Sequence, residues 1–296
     1  MLHDDKEDFI KMLEATSAQT GFPLLLLEKD YYLTIVLSNI NRLSDDLIFK
    51  GGTCLNKIYY SYFRLSEDLD FTLRLPSGKI TRTTKRKVIK PIKDAILPYV
   101  HSYGMTIDEI DNVGRNESSQ YVFYIDYDSA VVDNKQSIKL EVGLRFNPIL
   151  PALKQNVSHK FLHPFTKESL FDGGQVNCLA LKELVSEKMR ATTTRLTVAP
   201  RDFYDISFLI KAGFNFQDQE LWELFKSKLS EDGFEPDLTK YRVNMGRSKD
   251  EIADMNSRIE AELLDVLTHD ERKVFDLTES LQLLNETFKN MKSEAI

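Results

Sequence analysis

Residues 47–73 read LIFKGGTCLNKIYYSYFRLSEDLDFTL. The apolar opening predicts a strand, Gly51-Gly52-Thr53 a turn, the residues after it a short helix, and the final stretch a second strand. Asp68 and Asp70 lie two residues apart on that second strand, which points both carboxylates to one face. Leu69 and Phe71 alternate with them and face the core. Like charges held side by side repel, so the pairing needs an offset. A divalent cation supplies one, and hard carboxylate oxygens suit Mg²⁺. A small glycine turn able to approach phosphates, followed by a paired-carboxylate strand, is a layout for handling a nucleoside triphosphate. The alternative is a hairpin whose polar outer face carries two solvated aspartates.

Composition bounds the answer from outside. The chain has 296 residues, enough for one large domain or two modest ones. Its apolar and charged fractions are those of an ordinary globular protein. No stretch reads as an uncharged membrane span; the apolar run at 22–27 is short and charges follow it at once. The opening MLHDDKEDF is acidic and lacks the basic region of a signal peptide. Cys54 and Cys178 are far apart with no metal spacing, so each reads as a small buried hydrophobe in a reducing cytoplasm. The net charge of −7 argues against a general nucleic-acid coat protein but leaves room for a local basic track.

Around the central stretch the pattern is mixed. Residues 5–20 read as a helix, with Phe9, Met12 and Leu13 on one side. Pro23 opens a second helix running to about Ile40. Residues 81–97 read as a basic helix with Arg82, Arg86, Lys90 and Lys93 on one face, kinked or interrupted at Pro91. That face is either a solvated lysine-rich surface or a contact for nucleic-acid phosphates. Residues 120–126 and 137–146 read as strands. In the second, Ile138, Leu140 and Val142 alternate with Lys139, Glu141 and Gly143, which places Glu141 opposite the core. The prolines and glycines between 147 and 174 mark a boundary, and nearly everything after 179 reads as helix.

Two later stretches carry polar residues in instructive places. In LALKELVSEKMRATTT, residues 179–194, Lys188 aligns with the apolar stripe of Leu181, Leu184 and Val185. A lysine there either snorkels at the helix edge or serves a cleft, where a compact cation suits phosphate oxygens. In Pro200-Arg201-Asp202-Phe203-Tyr204-Asp205, Asp202 sits in a first helical turn, where the helix dipole favours a carboxylate. Arg195 and Arg201 are candidates for a triphosphate or an acceptor backbone. Residues 241–250, with Arg242, Arg247 and Lys249, read as a solvated loop or an RNA contact.

The Gly51-Gly52-Thr53 turn together with Arg64-Leu65-Ser66-Glu67-Asp68-Leu69-Asp70-Phe71 resembles the catalytic motif of the AbiEii/MenT nucleotidyltransferase toxins, within the polymerase-β-like nucleotidyltransferase superfamily. The specific likeness runs from about residue 45 to 215. It implies that Glu141 stands where the superfamily places a third metal carboxylate, often Asp. It implies that Lys188, in Glu187-Lys188-Met189-Arg190-Ala191, and Asp202, in the Arg-Asp-x-x-Asp segment, belong to the active site. It also implies that a serine at the position of Ser66 can receive a phosphate from an antitoxin kinase.

The expected fold is α+β: a nucleotidyltransferase core with a mixed sheet and N-terminal helices in residues 1–150, and a mostly helical domain in 151–296 that completes the active-site cleft. The resemblance implies Mg²⁺ or Mn²⁺ on Asp68, Asp70 and Glu141, and a nucleoside triphosphate on Gly51, Gly52, Thr53, Ser66, Lys188 and Arg201. It implies a cytoplasmic toxin of a toxin–antitoxin or abortive-infection system. Its acceptor would be the 3′ end of tRNA, and its antitoxin a DNA-binding repressor. Two other readings stay open: a protein nucleotidylyltransferase acting on Ser, Thr or Tyr, and an inactive nucleotide- or RNA-binding module.

Overall fold

The structure is a computed structural model that describes residues 1–110, 113–236 and 247–289. The chain forms two compact units, Met1–Leu179 and Ala180–Ile296.

The first unit opens with helix α1 (Lys6–Thr20), capped by the Asp5 carboxylate accepting from the Asp8 amide and closed by Gly21 at φ +74°. Pro23 caps α2 (Leu24–Ser38) from outside its first turn. Helix α2 is buried on nearly all sides, including Glu28 and Asp30. Strand β1 (Leu47–Lys50) runs straight into a single helical turn, α3 (Gly51–Cys54), and a π-turn (Leu55–Tyr59). Strand β2 (Asp68–Leu73) returns antiparallel beside β1.

Helix α4 (Arg82–His101) continues unbroken through Pro91, where the sequence predicts a kink or a break, and on through Pro98. Pro91 lies on the exposed face, so water can satisfy the carbonyl one turn earlier that its missing N–H would have bonded. Ile89, Ile92 and Ile96 form the buried side of α4, and the Tyr99 hydroxyl donates to the Val36 carbonyl of α2. Short β3 (Gly114–Arg115), then β4 (Gln120–Asp128) and β5 (Lys135–Gly143) follow.

The expected boundary at 150/151 is replaced by one at 179/180. Between them lie β6 (Leu153–Asn156) and β7 (Gln175–Cys178), an antiparallel pair. Strand β7 joins the sheet parallel to β1, with Cys178 opposite Phe49 and the Leu179 amide donating to the Phe49 carbonyl. The prolines and glycines of this region punctuate a sheet addition rather than a linker. Strand β6 is mostly exposed, so it carries no apolar alternation to read. The finished sheet is mixed, in the order β3-β4-β5-β2-β1-β7-β6.

One face of the sheet is core. Leu69, Phe71, Leu140, Val142, Phe123 and Ile125 are all buried. Tyr127 on the same face stacks on Tyr32 of α2 at 4.0 Å, which sets α2 and its neighbour α4 over this face. Beside it lies a fully buried ionic cluster. Lys57 of the π-turn stands 2.6 Å from Asp30, and the Tyr62 hydroxyl donates to Asp30 at 2.7 Å. Burial pushes the Lys57 ammonium below its ordinary value, and Asp30 opposes that shift.

The second unit is helical: α5 (Leu181–Thr194), α6 (Pro200–Lys211), α7 (Gln219–Glu231), α8 (Lys249–Glu262), α9 (His269–Val274) and α10 (Leu277–Lys289). Met189, Phe203, Trp222, Phe225 and Leu284 are buried, and the Trp222 indole donates to the Phe216 carbonyl. Lys228 of α7 reaches buried Glu183 of α5 at 2.7 Å. Among the described residues no helix is long and apolar enough to cross a membrane.

Candidate active site

The face of the sheet opposite the core carries the charges. Register fixes the rows: Lys50 on β1 pairs with Asp70 on β2, and Asp70 pairs with Glu141 on β5. One step along, Asp68 pairs with Lys139. Side chains in one row share a face, and neighbouring strands are about 5 Å apart, so Asp68, Asp70 and Glu141 form one acidic patch. All of them are only partly exposed. Burial, then the nearby Glu141 and Asp68, pushes the Asp70 carboxyl up to about 6, against the pull of Lys50 and Lys139. The Lys139 ammonium lies 3.0 Å from Glu141 Oε2.

The glycine turn packs against this patch. Gly51 has φ +78°, and a β-carbon there would lie 2.3 Å from Asp70 Oδ2. A β-carbon on Gly52 would lie 2.6 Å from Nη2 of Arg64. Glycine is therefore required twice, once for conformation and once for room. Arg64 is buried, its guanidinium donating to the Leu65 carbonyl and lying against the turn. The Thr53 side chain points inward. It is buried, donates to the Asp68 carbonyl at 2.5 Å and sits 2.7 Å from the Ser66 hydroxyl. Its hydroxyl, expected to donate to phosphate, instead fixes the start of the carboxylate strand. Ser66 is 9% exposed, so the hydroxyl that the resemblance implied as a phosphate acceptor is nearly covered.

In the second unit, Lys188 on α5 bonds Asp202 Oδ1 at 2.9 Å and Asp205 Oδ2 at 2.7 Å, both on α6. Asp202 also pairs with Arg195. Asp202 and Asp205 are buried, and Lys188 is 14% exposed at its side chain. The two carboxylates thus aim one lysine. Around them, Met189 is core, Glu187 faces Lys228 and Arg190 pairs with Asp232. Arg201 is partly exposed. Arg247 is tied to Glu251 and to the Thr192 carbonyl, which removes it from the solvated loop expected there; Arg242 lies outside the described residues.

A family profile described as the nucleotidyl transferase AbiEii toxin of the type IV toxin–antitoxin system matches residues 35–288. The chain belongs to the AbiEii family. It is accordingly a nucleotidyltransferase of a toxin–antitoxin system, with a nucleoside triphosphate as substrate and an antitoxin as counterpart. Solved structures share its fold. JHP933 from Helicobacter pylori superposes with TM-score 0.53 at 16% identity, over 90% of this chain and 92% of that one. The nucleotidyltransferase toxin MenT4 from Mycobacterium tuberculosis superposes with TM-score 0.58 at 17% identity, over 92% of this chain and 85% of that one. No curated protein matches the sequence.

AbiEii-family chemistry uses a divalent metal, and the donor set can be tested against one. Among the described residues, no three acidic, His or Cys side chains converge as a ready-made cage. Two carboxylates on one face suffice for Mg²⁺, which takes one or two from protein and the rest from water and substrate phosphates. Asp68 and Asp70 fit that role, since a cation offsets the burial and the neighbouring carboxylates that raise Asp70 toward protonation. Glu141, expected as a third ligand, is held by Lys139 and would have to exchange that partner to reach a metal.

Sequence reasoning passed over Lys50 and Lys139, the cations of the AbiEii patch. Both signals were present: Lys50 immediately precedes the glycines, and Lys139 alternates with Glu141. The basic stripe Arg82, Arg86 and Lys90 is exposed on α4, where Lys85 and Arg86 bond the Ser119 and Ser118 hydroxyls.

Proposed function

We propose that this toxin transfers a nucleoside monophosphate from a nucleoside triphosphate to the 3′ end of an RNA, most directly tRNA, and so blocks translation. The observation that supports the reading best is the shared face of Asp68, Asp70 and Glu141 beside the Gly51-Gly52 turn. In this reading Asp68 and Asp70 hold Mg²⁺, which when bound neutralises charge building on the phosphates. Backbone N–H groups of the turn and the ammonium of Lys50 hold the triphosphate. The acceptor hydroxyl oxygen bonds to the α-phosphorus, the bond to the β-phosphate breaks, and pyrophosphate leaves. The hydroxyl proton passes to Glu141, a reading supported by the pairing of Glu141 with Asp70 across β2 and β5. In the second unit Lys188, aimed by Asp202 and Asp205, offers a compact cation suited to phosphate oxygens. Arg201 adds a second.

Incubating the protein with each α-labelled nucleoside triphosphate, Mg²⁺ and total tRNA, beside an Asp70→Ala control, tests the reading. Label in tRNA that disappears in the control supports it and identifies the base. Label in protein replaces it with protein nucleotidylylation. No label in either, from folded protein, overturns it.

A further inference from the structure

The order of strands fixes what flanks the carboxylates. Strand β1 and its glycine turn lie on one side of β2; β5 and then β4 lie on the other. On β4, Val122 pairs with Glu141 and Tyr124 pairs with Lys139, the partner of Asp68. Tyr124 therefore stands on the carboxylate face, two strands from Asp68, or about 10 Å. Its chain neighbours Phe123 and Ile125 turn the other way and are fully buried.

Tyr124 is 56% exposed, an unusual place for a large ring on the face that carries Asp68, Asp70, Lys139 and Glu141. Among the described residues no ring stacks on it and no side chain bonds its hydroxyl. The nearest cation, Lys139, is turned to Glu141 instead. A flat, half-wet aromatic surface gains when another flat group covers it.

Nucleotidyl transfer places the attacking and leaving oxygens roughly in line through phosphorus. With the pyrophosphate over the glycine turn, the attacking hydroxyl arrives from the β5 and β4 side. We infer that Tyr124 is the stacking platform for the nucleobase of the acceptor's terminal nucleoside, a single-stranded RNA 3′ end. This rests on the RNA-acceptor reading above. The base of the incoming nucleotide does not use this ring. Stacking tolerates every base, because each has a π face. Tyr124 thus positions the terminal nucleotide rather than choosing it.

The probe is a short single-stranded oligoribonucleotide ending in 2-aminopurine riboside, whose fluorescence falls on stacking. It is titrated into the full chain as wild type, Tyr124→Phe and Tyr124→Ala, each checked for an unchanged thermal midpoint. Wild type and Tyr124→Phe quench the probe. Tyr124→Ala loses the quench and binds on the order of tenfold more weakly. In transfer assays its KM for the oligonucleotide rises by a like factor, while KM for the nucleoside triphosphate and kcat at saturating acceptor hold. Unchanged binding and quench in Tyr124→Ala, or a rise only in the KM for the triphosphate, overturns the assignment. If wild type neither binds nor extends any oligoribonucleotide yet labels protein, the RNA reading falls and takes this assignment with it.

Discussion

A β-carbon on Gly51 would lie 2.3 Å from Asp70 Oδ2, so the backbone of the glycine turn and the Asp70 carboxylate are in direct van der Waals contact. The turn and the carboxylate strand are one device: neither can move without the other.

Gly51→Ala is accordingly expected to be worse than an ordinary glycine replacement. The residue sits at φ +78°, where an L side chain costs about 1–2 kcal/mol. The added methyl must also push Asp70 aside. Thermal unfolding should show a moderate loss of stability. Steady-state transfer should show kcat/KM down by at least about 100-fold, since small misplacement of reacting groups is that costly. A variant with near wild-type kcat/KM would show that the close approach does not matter.

Asp70 predicts a pH effect in the metal-free protein. Its folded-state carboxyl is raised to about 6 from 3.8, so the folded form binds the proton more tightly than the unfolded form. Its contribution to stability is present below 3.8 and is lost as pH rises through 6. Asp70→Asn is uncharged throughout, so in EDTA at pH 8 it should be more stable than wild type, by up to about 3 kcal/mol. At pH 4 the gap should close. Saturating Mg²⁺ should stabilise wild type and leave Asp70→Asn nearly unmoved. Denaturant midpoints at the two pH values, with and without Mg²⁺, decide it; equal midpoints at pH 8 in EDTA would contradict the crowding argument.

The order in which these features became legible follows from their physics. Asp68, Asp70 and Glu141 were readable because strand alternation is a period-2 code, and one apolar face exposes the other. Helices α5 and α6 were readable from the apolar stripe around Leu184 and Val185 and from Pro200. Lys57 was not. It is a fully buried lysine in a stretch that reads as an ordinary short helix, and its distant partners Asp30 and Thr34, with Tyr62 five residues on, explain it. The β6–β7 pair was also hidden, because β6 is mostly exposed and β7, where Val176 and Cys178 alternate inward, is only four residues long. The inward turn of the Thr53 hydroxyl depends on the carbonyl of Asp68, fifteen residues on, which no local rule supplies.

That buried cluster makes its own prediction. Lys57→Met strands the Asp30 carboxylate in the core, and loss of one partner of a buried ion pair costs about 3–5 kcal/mol. Asp30→Leu should cost a similar amount. The double variant Lys57→Met with Asp30→Leu removes both charges and should be less destabilised than either single change. Urea unfolding of the four proteins forms the cycle. Additive losses would mean that Thr34 and Tyr62, which also bond Lys57, carry the lysine without Asp30.

Lys188 needs an experiment that separates stability from chemistry, because it neutralises two buried carboxylates. Lys188→Met leaves Asp202 with Arg195 but leaves Asp205 without its lysine. The single variant should therefore lose both stability and activity. Pairing it with Asp205→Asn removes the carboxylate charge that Lys188 neutralised, and most of the stability should return. If Lys188 serves only to staple α5 to α6, activity should return with it. If its ammonium acts on the phosphates, the stable double variant should still transfer at least about 100-fold more slowly than wild type. Tm and kcat/KM measured on the same preparations distinguish the two, and recovery of kcat/KM in the double variant removes Lys188 from the reaction.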